Sequence, residues 1–240
     1  MTQQFQQRVY CAIDTTDLPA AKSIAAGLVG SVGGIKLGME FFYAHGNDGL
    51  RAIKDVCDLP IFLDVKIHDI PNTAKGALRG LIPAGPKYIT LHASGGMEMM
   101  QAAAYEAADG AARMGVERPK LLGVTMLTSL DQQNLKAQHI EGTPADHALR
   151  MATLAQKAGL DGVVASGHEL KDIRTRMGDD FVIAVPGIRP TIEQKDDQKR
   201  VITPQQAIDD GADVLVIGRA ITQAANPAQA VREMFTNTLA

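Results

Sequence analysis

The sequence predicts an α/β fold, a (β/α)8 TIM barrel, built as one domain over residues 1–240. Three observations predict it. Eight short β-rich runs alternate strictly with segments of helical periodicity, and strict alternation means parallel strands joined by crossovers. Eight such units in 240 residues fit the barrel. Each run also ends in a polar residue or a short glycine-rich turn, as expected where the C-terminal strand ends form a mouth. A doubly wound open sheet is the competing arrangement. It usually carries a glycine-rich turn after its first strand, and AIDTTDLPAA has none.

In chain order, VYCAID (9–14) leads into LPAAKSIAAGLV, whose apolar residues recur at helical spacing. GGIKLG (33–38) precedes the helical MEFFYAHGNDGLRAIKDV, IFLDVK (61–66) precedes TAKGALRGLI, and YITLHA (88–93) precedes MEMMQAAAYEAADGAARM. In the second half, KLLGVTML (120–127) precedes PADHALRMATLAQKAG, and GVVASG (162–167) precedes HELKDIRTRM. FVIAVPG (181–187) and DVLVIG (213–218) precede TPQQAIDDG and AQAVREMF. The stretch PGIRPTIEQKDDQKRVITP is too polar and too long for a minimal βα turn of about 2 to 6 residues. That suggests a lid over the mouth, with a mobile surface loop as the plainer alternative. No linker, low-complexity segment or repeat beyond the βα unit interrupts the pattern.

Composition narrows the function classes. A formal net charge of −3 and a pI near 6.1 do not mark a general polyanion binder. With no Trp and 4% aromatic residues, a base-stacking platform for nucleic acid is not expected. No stretch approaches the roughly 20 apolar residues of a membrane span. Cys11 and Cys57 form neither a metal-type spacing nor a disulfide framework, which fits a reducing compartment. MTQQFQQRVY has no apolar signal core, so a cytoplasmic location is expected.

The chemistry collects at the strand ends: Asp14, Lys36, Asp64, Lys66, His92, Thr125, Thr128, Ser166, Arg189 and the Gly218–Arg219 pair. In FLDVKIHDIPNTA, Asp64 and Lys66 are two apart on a strand and share a face, while Leu63, Val65 and Ile67 face the helices. The charged pair therefore points into the barrel at its mouth. Burying an ion pair is a poor route to stability, and two acids against one base leave a net negative charge that stability alone does not explain. Two nearby carboxylates favour the charged form of Lys66. A protonated lysine is a poor nucleophile for Schiff-base chemistry but a good proton donor to a carbanion. A neighbouring carboxylate repels an anionic substrate group until that group leaves as carbon dioxide. Decarboxylation followed by protonation suits these residues, and so does a Mg²⁺ site with an Asp ligand.

FLDVKIHDIPNTA resembles the D-x-K-x-x-D-I-P-N-T signature of the orotidine 5′-monophosphate decarboxylase family. AID, IKLGMEFF, LHASGG, GVTMLTS, VPGIRP, DDQKR and VIGRAIT resemble that family in the same order, from about Val9 to the last helix. The resemblance implies a cofactor-free lyase of UMP synthesis acting on a small nucleotide, with no metal. It implies that Lys66 protonates C6 of the pyrimidine beside Asp64. It places Asp69 and Thr73 in the neighbouring subunit's site, so a homodimer with shared active sites is implied. Asp14 and Lys36 resemble the groups that hold the ribose, and Thr128 the contact to the pyrimidine edge. Arg189 and Gln198 resemble the clamp over phosphate and base, and Gly218 with Arg219 the phosphate cradle.

The residues support the phosphate assignment independently. VIGRAIT turns from a strand straight into a helical segment, whose amides and dipole suit an anion. Arg189 adds a planar donor fork. If the third strand ran on to His68, alternation would put that ring on the face of Lys66. His92 ends a strand, but no H-x-H or H-E-x-x-H spacing supports a metal site. MEMM reads as an adaptable helix face and Cys11 as a small buried side chain. Two other functions compete. One is a Mg²⁺-dependent barrel acting on sugar phosphates with the same acid–lysine–acid core, such as a hexulose phosphate synthase. The other is a non-catalytic phosphate-ligand barrel.

Overall fold

The computed structural model of the chain describes residues 5–189 and 202–236. Gln198 and the rest of DDQKR lie outside the described residues. Eight strands close into a barrel: β1 (Val9–Ile13), β2 (Gly34–Gly38), β3 (Ile61–Ile67), β4 (Tyr88–His92), β5 (Lys120–Val124), β6 (Gly162–Val164), β7 (Val182–Val185) and β8 (Val214–Ile217). They are ordered as in the sequence, and β8 pairs with β1 to complete the ring. Every pairing is parallel. All eight expected runs are strands of this barrel.

Alternation sorts the strand side chains into two cores. Outward-facing residues such as Ile13, Leu37, Leu63, Ile89 and Ile183 pack against the helices. Inward-facing Tyr10, Ala12, Phe62, Tyr88, Leu122, Val182, Val214 and Val216 fill the barrel. Aromatic residues are scarce here, with 4 Tyr and 6 Phe, yet three of them form the barrel floor. The rings of Tyr10, Phe62 and Tyr88 meet edge-on or tilted, with centroids 5.6–6.2 Å apart. A side chain at Gly34 would meet the Tyr10 ring at 2.2 Å, so the floor closes only with glycine there. Burial pushes the phenols of Tyr10 and Tyr88 up from their ordinary value. It pushes the Cys11 thiol in β1 up to about 12.

Two matching clasps tie the N-terminal strand ends, at the same end as this floor. Asp161, just before β6, accepts from Arg118 Nη1 at 2.7 Å and from the backbone N–H of Leu121 in β5 at 2.8 Å. Asp213, before β8, accepts from Arg174 and from the backbone N–H of Ile183 in β7.

The helices follow the expected order with three differences. MEFFYAHGNDGLRAIKDV is not one helix: the Met39–Lys54 segment breaks at Gly46, at φ 55° and ψ −149°, a conformation open to glycine alone at little cost. A short helix, Gln132–Ala137, was not expected. Six residues are too few to show a period. Its signal is a cap, with Asp131 accepting from the Gln133 and Asn134 amides while Asn134 accepts from the Asp131 amide. The helix expected over 73–82 begins at Pro71, a residue whose fixed φ suits a first turn.

Candidate active site

The strand ends enclose a cavity of about 290 Å³. Asp14, Lys36, Asp64 and Lys66 line one side of it. Thr128, Arg189, Gly218 and Arg219 line the rest of its polar wall. Residues spread from the first strand to the eighth therefore share one space because barrel closure brings their strand ends together. Arg189 is almost wholly buried, at 6% exposure, and its backbone N–H bonds to the Ile202 carbonyl at 3.0 Å. Arg219 opens a four-residue helix, Arg219–Thr222, directly after Gly218 at the end of β8.

The charges form an alternating chain. Lys36 Nζ lies 3.1 Å from Asp14 Oδ1 and 3.6 Å from Asp64 Oδ2. Lys66 Nζ lies 2.9 Å from the same Asp64 oxygen. Asp64 is the buried centre, with its side chain 14% exposed, against 53% for Asp14. Burial alone would push the Asp64 carboxyl up. The Lys36 and Lys66 charges, with hydrogen bonds from Lys66 and Thr90, outweigh burial and hold it below the ordinary carboxylate range. Gly38, at the end of β2, gives this chain room: a Cβ there would stand 3.1 Å from Lys36 Nζ and 3.2 Å from Asp14 Oδ1.

Within one chain the charge count differs from the one read from the sequence. Two acids and one base were expected in one cluster. The cavity of this chain holds Asp14 and Asp64 with Lys36 and Lys66, so the four groups balance. Asp69 is not among them. It lies past the end of β3 on a neighbouring surface depression with His68 and Ile70, and its Oδ1 accepts from the Ile70 amide at 2.7 Å. Thr73 is exposed in the first turn of the Pro71–Leu81 helix. Neither residue lines the cavity of its own chain.

β3 ends at Ile67, so the condition for His68 to share the face of Lys66 is not met. His68 stands at the rim with its ring 5.1 Å from that of His92. Burial, then the His68 and Lys66 charges, push the His92 imidazole below its ordinary value. Among the described residues no group of three or more His, Cys, Asp or Glu side chains is placed to hold a metal ion.

One residue of the site escaped sequence reasoning. Thr90, wholly buried in β4, donates to Asp64 Oδ1 at 2.9 Å and accepts from the Lys66 backbone N–H at 2.9 Å. Its signal is faint: it is the one polar residue between Tyr88 and His92 on the inward face of YITLH.

The chain matches the "Orotidine 5'-phosphate decarboxylase / HUMPS family" over residues 7–234. An orotidine 5′-phosphate decarboxylase of Rhodospirillum rubrum is 48% identical over 97% of this chain and 94% of its own length. One of Moorella thermoacetica is 42% identical over 95% of this chain and 90% of its own length. The crystal structure of orotidine 5′-phosphate decarboxylase from Lactobacillus acidophilus superposes with a TM-score of 0.81 at 33% identity, covering 97% of this chain and 99% of that one. With the barrel, the charged mouth and a match across nearly its whole length, the chain belongs to the orotidine 5′-phosphate decarboxylase / HUMPS family.

Proposed function

We propose that this protein is a carboxy-lyase that converts orotidine 5′-monophosphate to UMP, the last step of pyrimidine nucleotide synthesis. The observation that supports the reading best is the buried Asp64 carboxylate, 2.9 Å from the Lys66 ammonium at the mouth of the barrel. A substrate carboxylate seated beside Asp64 is repelled by it. When the C6–carboxylate bond breaks, its electron pair stays on C6 and carbon dioxide leaves. Lys66 then gives a proton from Nζ to C6. An ammonium beside the developing negative charge also stabilises it before the proton moves.

The other residues have binding roles in this reading. Asp14 and Lys36 hold the ribose, and Thr128 meets the pyrimidine edge. Arg189, with Gln198, clamps phosphate and base, and Gly218 with Arg219 cradles the phosphate. Asp69 and Thr73 act in the active site of a second copy of the chain, so the working unit is a homodimer. The position of Asp69 outside its own chain's cavity is in keeping with that role.

The test is direct. Purified protein is mixed with orotidine 5′-monophosphate and the ultraviolet absorbance of the pyrimidine is followed with and without excess EDTA. The expected result is conversion to UMP at the same rate in both. No conversion sinks the reading. A rate abolished by EDTA overturns the cofactor-free chemistry, and Mg²⁺-dependent turnover of a sugar phosphate in place of orotidine 5′-monophosphate points to the sugar-phosphate enzyme of the same barrel type.

A further inference from the structure

We propose that Thr90 is a positioning residue for the reaction: its single hydroxyl sets the pose of the Asp64 carboxylate and of the Lys66 backbone together. The inference rests on the decarboxylase reading above and assigns part of its geometry to a residue with no reach to substrate.

The register of β3 on β4 shifts beside the site. Leu63 pairs with Ile89 and Ile67 pairs with Leu91. Four steps along β3 therefore span two steps along β4, so Asp64, Val65 and Lys66 are opposed by Thr90 alone. A bulge of this kind bends the strand and leaves its extra residues without ladder partners. Lys66 takes the distortion: its φ is +50°, a conformation that a residue with a side chain seldom adopts. The bulge aims the Lys66 ammonium at Asp64, and it removes the ladder partner of the Lys66 N–H. A buried, unpaired N–H is costly.

Thr90 meets both needs. A hydroxyl has one proton to give and lone pairs to accept with. The Thr90 oxygen accepts the Lys66 N–H at 2.9 Å, and its proton goes to Asp64 Oδ1, also at 2.9 Å. Asp64 Oδ2 is then left to face Lys66 Nζ at 2.9 Å and Lys36 Nζ at 3.6 Å. The two carboxylate oxygens are thus divided, one held by the barrel wall and the other turned to the lysines. Thr90 is 0% exposed, so water does not substitute for it readily. Its bond to the charged carboxylate is also one of the causes that hold the Asp64 carboxyl low.

A threonine that merely fills the barrel would be replaced well by valine, which has the same shape. The experiment compares wild type with Thr90→Val, Thr90→Ala and Thr90→Ser, measuring kcat and KM on orotidine 5′-monophosphate, affinity for UMP, and amide exchange at Lys66 by NMR. Thr90→Val should lose about 10- to 100-fold in kcat, the scale of a displaced catalytic geometry or a lost bond to a charged group. Its UMP affinity should stay within about threefold, since tenfold is already about 1.4 kcal/mol. Thr90→Ser should recover most of the lost kcat. The Lys66 amide should exchange as slowly as its β3 ladder neighbours in wild type and Thr90→Ser, and faster in the two variants without a hydroxyl.

Wild-type kcat in Thr90→Val overturns the proposal. So does failure of serine to rescue, or a parallel loss of UMP affinity, because either makes the effect one of packing. If neither hydroxyl-free variant folds, exchange in the wild type decides: a Lys66 amide exchanging like an exposed loop amide overturns the proposal. If wild type itself turns over no orotidine 5′-monophosphate, the decarboxylase reading fails, and the exchange measurement still tests the Thr90 bond on its own.

Discussion

Among the described residues Lys66 Nζ has one close acidic partner, Asp64 Oδ2 at 2.9 Å, and lines the cavity with it. Lys66→Ala should lower kcat by at least the 10²–10⁴-fold of a lost general acid, while UMP still binds, as stopped-flow kinetics and calorimetry would report. Near-native turnover would remove Lys66 from the chemistry. His92 offers a separate test, of stability. Burial, His68 and Lys66 hold its folded-state pKa below the ordinary 6.5, so the unfolded chain takes up the proton first. Stability from this group is complete above about 6.5 and is lost as the pH falls through the lowered value. His92→Asn should therefore lose less stability than wild type between pH 7.5 and pH 5 in urea titrations. Equal losses would mean that the ring is not held neutral. At this scale the sequence was half legible. Asp64 and Lys66 stood out because charge interrupted an apolar alternation. Thr90 did not, because its importance depends on which β3 residues it opposes, and a register shift is not written in any one strand.

β8 delivers Gly218 and Arg219 to the cavity, and the Arg219–Thr222 helix begins at that point. Arg219→Ala should weaken catalysis on the phosphorylated substrate far more than on the unphosphorylated nucleoside. A charge-assisted bond to phosphate contributes about 1.5–3 kcal/mol, and remote binding energy of this kind acts on kcat as well as KM. Comparing kcat/KM for both substrates in both proteins checks it, and equal losses would move the phosphate site elsewhere. β2 contributes a spacing constraint. Gly38→Ala would press a methyl on the Lys36–Asp14 pair at 3.1–3.2 Å and should raise KM, while an unchanged KM would show that the pair yields freely. The strands were legible because each is a short apolar run with a polar end. The helices were less so: Gly46 splits a segment whose periodicity reads as continuous, and Gln132–Ala137 is announced by its cap alone.

Barrel closure through the β8–β1 pairing is what turns eight separated strand ends into one site, and the alternation of elements was enough to foresee it. The paired clasps of Asp161 and Asp213 were not foreseeable, because they join residues about 40 positions apart. The position of Asp69, outside its own cavity, carries the prediction for the assembly. Lys66→Ala and Asp69→Ala proteins, each nearly inactive alone, should regain activity when mixed under conditions where subunits exchange. One site of the mixed pair then has both residues intact. Demonstrated exchange with no recovery would rule out a shared site. The aromatic floor of Tyr10, Phe62 and Tyr88 blocks the barrel axis beneath the charged mouth. In the proposed reaction the carbon dioxide is released from the bound nucleotide beside Asp64. Traffic cannot run straight down the barrel axis, so in this reading the gas departs on the side from which the nucleotide came.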